Sequence, residues 1–255
     1  MEKESNPVQR TLTTENLKKT GNSDVTVIIP ALNEEKNIAR VIQKLHQMGY
    51  DNILVVDGNS NDRTVEVAKE FGVNIILQKG NGKGAALRQA FNHDGLDGDV
   101  VVMMDADGSM DPKEIPLFIE ALDSGADLVK GSRFLRYGYS EDMNMTRWIG
   151  NRFFVLLVNW FWSANYTDLC YGFGAFNKDA IKKLYPYLKS TNFEIETEIF
   201  IKAKKLGLKV EEVPSIEFRR KHGKSNLSIF TDGFRILKTI IEELVNRSSI
   251  KLHYR

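Results

Sequence analysis

The stretch VTVIIPALNEEKNIARVIQKLHQMGYDNILVVD, residues 25–57, decides the class of this chain. It opens on Val25, Thr26, Val27, Ile28 and Ile29, a β-branched run that lacks the polar alternation of a half-exposed strand and stops at Pro30. Such a strand is buried on both faces, the habit of parallel sheets. Residues 34–48 then set Ile38, Val41, Ile42 and Leu45 at helical spacing, with Asn33 as the N-cap and acidic residues in the first turn. Residues 52–56 read as a second strand, so the stretch is a strand, a helix and a strand in right-handed crossover.

Working outward, the pattern repeats. A helix over 62–71, a strand over 73–77, a helix over 83–91 and strands over 100–104 and 127–130 follow. The predicted class is α/β, a mostly parallel central sheet flanked by helices, with ligands beyond the carboxyl ends of its strands. The regularity breaks at 132–145, a loop of functional length. Beyond it come a helix over 146–163, a strand over 172–176, a helix over 195–206 closed by Gly207, a strand over 208–213 and an amphipathic helix over 229–245. One domain over 25–246 is expected, with residues 1–24 as a mobile extension and 247–255 as a tail.

Composition narrows the classes. A chain of 255 residues, 42% apolar, is long enough for one substantial core. Its net charge of +1 supplies no field that would gather nucleic acid. A single cysteine, Cys170, excludes an intrachain disulfide and a cysteine zinc site, and fits a reducing compartment. The histidines at 46, 93, 222 and 253 show no metal-ligand spacing. Residues 1–24 lack the apolar centre of a signal peptide. The most apolar stretch, 148–162, carries Asn151, Arg152 and Asn159 and falls short of the roughly 20 residues of a bilayer span, which leaves an interfacial helix open.

Acidic residues fall where strands end. Asp57 closes the strand at 52–56, and Asp105 with Asp107 closes the strand at 100–104. Each could be a turn former. As a pair in a tight turn, Asp105 and Asp107 could also offer one carboxylate to a ligand and one to Mg²⁺ or Mn²⁺, hard cations that bridge carboxylates to substrate phosphates. The segment Gly80-Asn81-Gly82-Lys83-Gly84 is no Walker loop, lacking the upstream Gly and the Ser or Thr after the Lys. Gly80, Gly82 and Ala85 do fit the looser dinucleotide pattern, with Asp105 about 20 residues on, so a nucleotide-cofactor oxidoreductase is one reading. In the plain alternative this is a glycine turn opening a helix, with Lys83 at the surface or facing phosphate.

Several segments together carry a resemblance. Pro30-Ala31-Leu32-Asn33-Glu34-Glu35, Val55-Val56-Asp57-Gly58-Asn59-Ser60-Asn61-Asp62, Gly82-Lys83-Gly84 and Met104-Asp105-Ala106-Asp107 resemble, in order and spacing, the signatures of family 2 glycosyltransferases of the GT-A fold. Within that family the chain is most similar to polyprenyl-phosphate (dolichyl-phosphate) mannosyl- and hexosyltransferases. Gly131-Ser132-Arg133, Thr167-Asp168-Leu169-Cys170-Tyr171-Gly172-Phe173 and Arg220-Lys221-His222-Gly223-Lys224-Ser225-Asn226 carry this closer likeness.

The resemblance implies roles. Pro30, Leu32 and Glu34 would line the base and ribose of a nucleotide-sugar donor, with Asp57 reading the base edge. Asp105 and Asp107 would hold Mg²⁺ or Mn²⁺ on the donor diphosphate, with Lys83 facing phosphate and Arg220 steadying the leaving group. Arg133, Arg147 and Asn151 would hold a polyprenyl or dolichyl phosphate acceptor, Asp168 would face the sugar, and Glu196 or Glu198 would touch its hydroxyls. Two departures stand out: Ser109 where dolichyl-type members often carry Gln, and Asn226 where the last motif commonly ends in Lys.

The chemistry supports that picture. Sugar transfer from a nucleotide builds charge on the departing β-phosphate, which cations answer. An alcohol acceptor needs a general base. A phosphate monoester, largely ionised above a second pKa of about 6, needs positioning cations instead. Arginines at 133 and 147 beside Trp148, Phe153, Phe154, Trp160, Phe161 and Trp162 suit a surface that meets lipid, unless Arg147 is simply solvated and the rings are core. The expected protein is a metal-dependent inverting glycosyltransferase at the cytoplasmic membrane face, using a UDP- or GDP-sugar, with peripheral membrane contact, no nucleic acid and a membrane partner protein left open. Transfer to a soluble phosphorylated acceptor is the runner-up. Cys170 is expected to pack rather than react.

Overall fold

The computed structural model describes residues 20–223, 225 and 227–246. Of the extension expected over 1–24, residues 1–19 lie outside the described residues, as do the tail over 247–255, Lys224 and Asn226; residues 20–24 are placed against the domain, where the Thr20 hydroxyl donates to Asp123 at 2.7 Å and Asn22–Asp24 form a single helical turn.

A seven-stranded sheet forms the centre. In chain order its strands are β1 (Val25–Ala31), β2 (Ile53–Asp57), β3 (Asn74–Leu77), β4 (Val100–Met103), β5 (Leu128–Ser132), β7 (Gly174–Asn177) and β8 (Val210–Pro214). They lie in the order β3-β2-β1-β4-β7-β5-β8, and a small two-stranded sheet pairs β6 (Tyr139–Ser140) with β9 (Ile216–Glu217). Helices α1 (Ile38–Gln47), α2 (Thr64–Lys69), α3 (Lys83–Phe91), α4 (Ile115–Asp123), α5 (Met145–Trp162), α6 (Lys178–Leu184), α7 (Ile195–Lys205) and α8 (Ile229–Val245) flank the strands.

β1 is the axis. Ile28 stands opposite Leu54 of β2 and Met103 of β4, both pairings parallel. Its side chains divide between two cores: Ile28 packs with Leu54, Leu87 and Met103, while Val27 and Ile29 pack with Ile38, Ile42 and Val102. Full burial on both faces explains why the strand shows no polar alternation. Neighbouring β2 and β4 leave β1 on opposite sides, so the sheet reverses its winding between β1 and β4, where α/β sheets open a crevice at their carboxyl ends.

Two local expectations change. The first helix begins at Ile38, not at residue 34, because Asn33 adopts a left-handed backbone (φ 56°) and Glu34 opens a turn whose carbonyl accepts from the Asn37 and Ile38 N–H groups. Asn33 is therefore no N-cap. Its side chain accepts the Asn61 N–H at 2.8 Å, tying the loop after β1 to the loop after β2, and Glu34 is buried rather than solvated. The strand near residue 174 runs antiparallel, wedged between β4 and β5, since the chain re-enters the sheet after α5 from the opposite end. Helices α4 and α6 carry no distinct signal of their own; α4 opens on Ile115-Pro116, an apolar run that could equally be strand.

Candidate active site

The crevice is a cleft of about 1150 Å³ that starts at the carboxyl ends of β1, β2 and β4 and runs out between α5 and α8. At the sheet end, Pro30, Leu32 and Glu34 line it. Asp57, the last residue of β2, is buried just behind, where the adjoining Gly58 and Gln78 form the wall. One of its carboxylate oxygens accepts the Ser60 N–H at 3.0 Å and the other has no partner, a costly state for a buried acceptor unless something else completes it. A side chain on Gly58 would press on Gln78 and on the Ala31 carbonyl at 3.2 and 3.3 Å, so this wall is closely packed.

Asp105 and Asp107 follow β4 in a turn in which Gly108 takes a left-handed backbone (φ 75°) and the Asp107 carboxylate accepts the Ser109 N–H at 2.9 Å. Each aspartate meets a cation. The ammonium of Lys83, at the start of α3, is ion-paired to Asp105 and lies 2.7 Å from Glu196 of α7. The guanidinium of Arg220 lies 3.2 Å from Asp107 and 2.7 Å from Glu34. Burial, with Asp107 and Glu196 close by, lifts the Asp105 carboxyl above its ordinary pKa despite Lys83. Burial also lifts that of Glu34, against the pull of Asn37 and Arg220. Desolvation works against the charged form of Lys83, but Asp105 and Glu196 more than restore it.

This donor set suits a divalent hard cation. Among the described residues no three His, Cys, Asp or Glu side chains cluster as a closed metal cage. Mg²⁺ and Mn²⁺ do not require one, being held by one or two carboxylates plus substrate phosphates. Asp105 and Asp107 supply those carboxylates. Ser109 is buried on the cleft wall, and its carbonyl accepts the Phe218 N–H at 2.8 Å.

The helix end is built differently. Arg133, just after β5, lines the cleft but is locked: it forks onto Asp168 (2.7 and 3.0 Å), reaches Glu217 of β9 (3.0 Å) and the Cys170 carbonyl (2.9 Å), and stacks 4.7 Å above the Tyr171 ring. Asp168 corrects the expectation that it faces a sugar: it is fully buried and both its oxygens are taken by Arg133. Arg133 and neighbouring Lys130 hold its carboxyl below the ordinary value against the opposing cost of burial. Arg147 lines the cleft near the start of α5, paired with Asp142 at 2.6 Å. Asn151, one turn on, accepts the Leu169 and Cys170 N–H groups at 3.0 and 3.2 Å, which fixes its oxygen and leaves a buried amide nitrogen unpartnered on the cleft wall.

Other expectations sort as cleanly. Glu196 is on the cleft wall, whereas Glu198 accepts the Lys189 and Ser190 N–H groups and belongs to that turn. Burial pushes the Cys170 thiol up to about 12, so it is no nucleophile. Of the dinucleotide pattern, Gly82 serves packing: a Cβ there would sit 2.4 Å from the Thr191 carbonyl, as one on the adjoining Gly84 would sit 2.7 Å from that of Ser190. Glu217 and Arg219 line the cleft unanticipated, and Arg235, expected on the C-terminal helix as a possible addition to the lipid-facing surface, lines it too. Glu217 and Arg219 sit at alternate positions of the sequence at the end of β9, and that spacing was the available signal.

The family model described as "Glycosyl transferase family 2" matches residues 26–185. A UDP-N-acetylglucosamine–dolichyl-phosphate N-acetylglucosaminyltransferase of Methanococcus voltae is 29% identical over 85% of this chain and 94% of its own. A dolichyl-phosphate hexose transferase of Haloferax volcanii is 29% identical over 86% and 93%. Among solved structures, glucosyl-3-phosphoglycerate synthase from Mycobacterium tuberculosis, in complex with Mn²⁺, UDP and glucosyl-3-phosphoglycerate, superposes with a TM-score of 0.70 at 22% identity, over 88% of this chain and 80% of that one.

Proposed function

This chain belongs to glycosyl transferase family 2 and has the GT-A fold, and on that premise we propose that it moves a hexose or N-acetylhexosamine from a UDP- or GDP-sugar onto a polyprenyl (dolichyl) phosphate. One observation carries this reading: a single cleft joins a paired-carboxylate, cation-rich sheet end to an arginine-bordered groove walled by apolar residues such as Ile149, Phe154 and Ile236 of α5 and α8.

At the sheet end the base would lie on Leu32 and Pro30, its N–H completing the unpartnered oxygen of Asp57, a contact that uracil and guanine both allow. Lys83 and Arg220 are the cations within reach of a diphosphate held beside Asp105 and Asp107. A divalent metal on those two carboxylates would neutralise charge on the leaving nucleoside diphosphate. Relatives' names support the donor and acceptor classes, and the Mn²⁺ and UDP in the solved neighbour support the metal.

At the helix end the nucleophile is a phosphate oxygen, already ionised, so the enzyme needs to position it rather than deprotonate it. Arg147 and the free amide of Asn151 are the donors for it, with Arg133 held as a fixed positive wall. The phosphate oxygen bonds to the anomeric carbon as the bond to the β-phosphate breaks on the opposite face. The anomeric configuration inverts, the nucleoside diphosphate leaves, and no proton is transferred.

A lipid tail needs an apolar exit. α5 exposes Trp148, Phe153, Leu156 and Trp160, and α8 exposes Phe230 and Phe234, apolar side chains on the two helices that border the groove, which suits peripheral contact with a membrane surface. No helix among the described residues is long and apolar enough to cross a membrane. The test is nucleoside diphosphate release from a panel of UDP- and GDP-sugars with Mg²⁺ or Mn²⁺ in detergent, with and without dolichyl phosphate, Asp107→Ala as control. Release that requires the lipid and fails in the variant supports the reading. Release indifferent to the lipid, or obtained only with soluble phosphate monoesters, removes the acceptor.

A further inference from the structure

The two carboxylates at the end of β4 are each bonded to a cation of the same chain, and each of those cations has a second, separate glutamate behind it. Lys83 bridges Asp105 and Glu196, and Arg220 bridges Asp107 and Glu34. The four acids and two bases thus form two parallel bridges of the same design, one on each side of the Asp-Ala-Asp turn. Lys83 is the more enclosed of the two cations, 8% exposed against 20% for Arg220. Room for the Lys83 bridge is built in: a Cβ on Gly172 would fall 2.3 Å from the lysine ammonium and 2.6 Å from the Glu196 carboxylate.

We propose that Lys83 and Arg220 are exchangeable counter-ions: they occupy Asp105 and Asp107 until a divalent cation and a diphosphate arrive together, when the cation takes the two aspartates and the two basic side chains pass to the phosphate oxygens. The inference rests on the donor-site reading above. Its charges balance, since one divalent cation replaces two monovalent ones at the aspartates and the two charges of a nucleotide-sugar diphosphate take up the two released side chains. Glu196 and Glu34 are positioning residues in this exchange. Each keeps one side of its cation held while the other side turns from carboxylate to phosphate, so neither base swings free into solvent.

The consequence is coupling. A metal ion alone must compete with Lys83 and Arg220 for the aspartates without giving them another anion, and a diphosphate alone must draw the cations away from two half-buried carboxylates left unpaired side by side, which is unfavourable. Each ligand therefore strengthens the other, by the same factor in both directions.

The test is Mn²⁺ binding to chelator-stripped protein, read as loss of the free-ion electron paramagnetic resonance signal, for Mn²⁺ alone, with UDP and with GDP. Wild type should bind Mn²⁺ weakly alone and roughly tenfold or more tightly with the nucleotide it recognises. Lys83→Met should bind Mn²⁺ alone roughly tenfold more tightly than wild type and lose most of the nucleotide effect, while Lys83→Arg keeps the wild-type pattern. Because Lys83→Met leaves Asp105 and Glu196 uncompensated and could unfold, Arg220→Gln, at the more exposed cation, tests the same direction through Asp107. If wild type shows nucleotide-dependent uptake but neither variant binds Mn²⁺ alone more tightly, the exchange is wrong and the donor site stands. If wild type takes up no Mn²⁺ with either nucleotide, the donor-site reading fails and the exchange with it.

Discussion

The two ends of the cleft use similar side chains to opposite effect. At the sheet end, Lys83 and Arg220 each bridge two carboxylates that come from different segments, and each stands next to an aspartate suited to a metal. At the helix end, Arg133 spends all its guanidinium nitrogens and its flat face on Asp168, Glu217, the Cys170 carbonyl and the Tyr171 ring. The first arrangement has cations that can change partner; the second has a cation fixed as part of the wall. A charged cleft residue is therefore not by itself a ligand contact, and its partners decide which it is.

The sharpest way to break this comparison is at the sheet end. Asp107→Ala should lower sugar transfer by about two to three orders of magnitude, the usual cost of removing one electrostatic contributor, while the melting temperature stays close to wild type. Initial rates of nucleoside diphosphate release check it. At the helix end the order of effects should reverse. Asp168→Asn strips the buried partner of Arg133 and should cost about 3–5 kcal/mol of stability, seen as a large fall in melting temperature. An Asp168 that touched only substrate would leave stability intact.

That difference should also depend on pH in a fixed sense. The folded-state pKa of Asp168 is depressed by Arg133, so its ionised form stabilises the fold above the unfolded carboxylate value of about 4, and this stabilisation is lost as pH falls through the lower folded value. Denaturant melts from pH 7 down to pH 3 should show the gap between wild type and Asp168→Asn steady above about pH 4 and closing below it.

A smaller effect is expected from Gly82→Ala. Its backbone is left-handed (φ 90°) and a Cβ would meet the Thr191 carbonyl and Asn192, so about 1–3 kcal/mol of stability should go, read by chemical denaturation. The smallest effect on the fold belongs to the exposed apolar side chains of α5 and α8. Trp160→Ser with Phe234→Ser should change stability by less than about 0.5 kcal/mol per site. Binding to phosphatidylglycerol vesicles, measured by sedimentation, should nevertheless fall several-fold.

The sheet end was legible in the sequence because its geometry follows from strand endings. Asp57 ends β2 and Asp105 with Asp107 follows β4 directly, so strand period placed these three at the carboxyl end of the sheet, while Pro30, Leu32 and Glu34 were read from the family resemblance. Helix α8 was likewise readable to its exact limits, its apolar positions being regular and Ser228 capping it. The helix end was less accessible. Arg133, Asp168 and Glu217 lie in segments far apart in the chain, and it is the antiparallel insertion of β7 and the pairings of β5 with β8 and β6 with β9 that bring them into contact. Nothing local in Thr167-Asp168-Leu169 distinguishes an aspartate that faces a cleft from one buried under an arginine. The start of α1 failed for a similar reason: Asn33 makes a bond across to Asn61, and a cap motif reads only its own neighbours.

The account turns on a cleft that accepts a nucleotide sugar at one end and a lipid phosphate at the other. The most direct measurement is transfer of radiolabelled sugar from the active UDP- or GDP-sugar, followed by organic extraction, with dolichyl phosphate, dolichol or a soluble phosphate monoester as acceptor. The account predicts label in the organic phase with dolichyl phosphate alone. Equal labelling of dolichol, or label confined to a water-soluble product of the monoester, would contradict it.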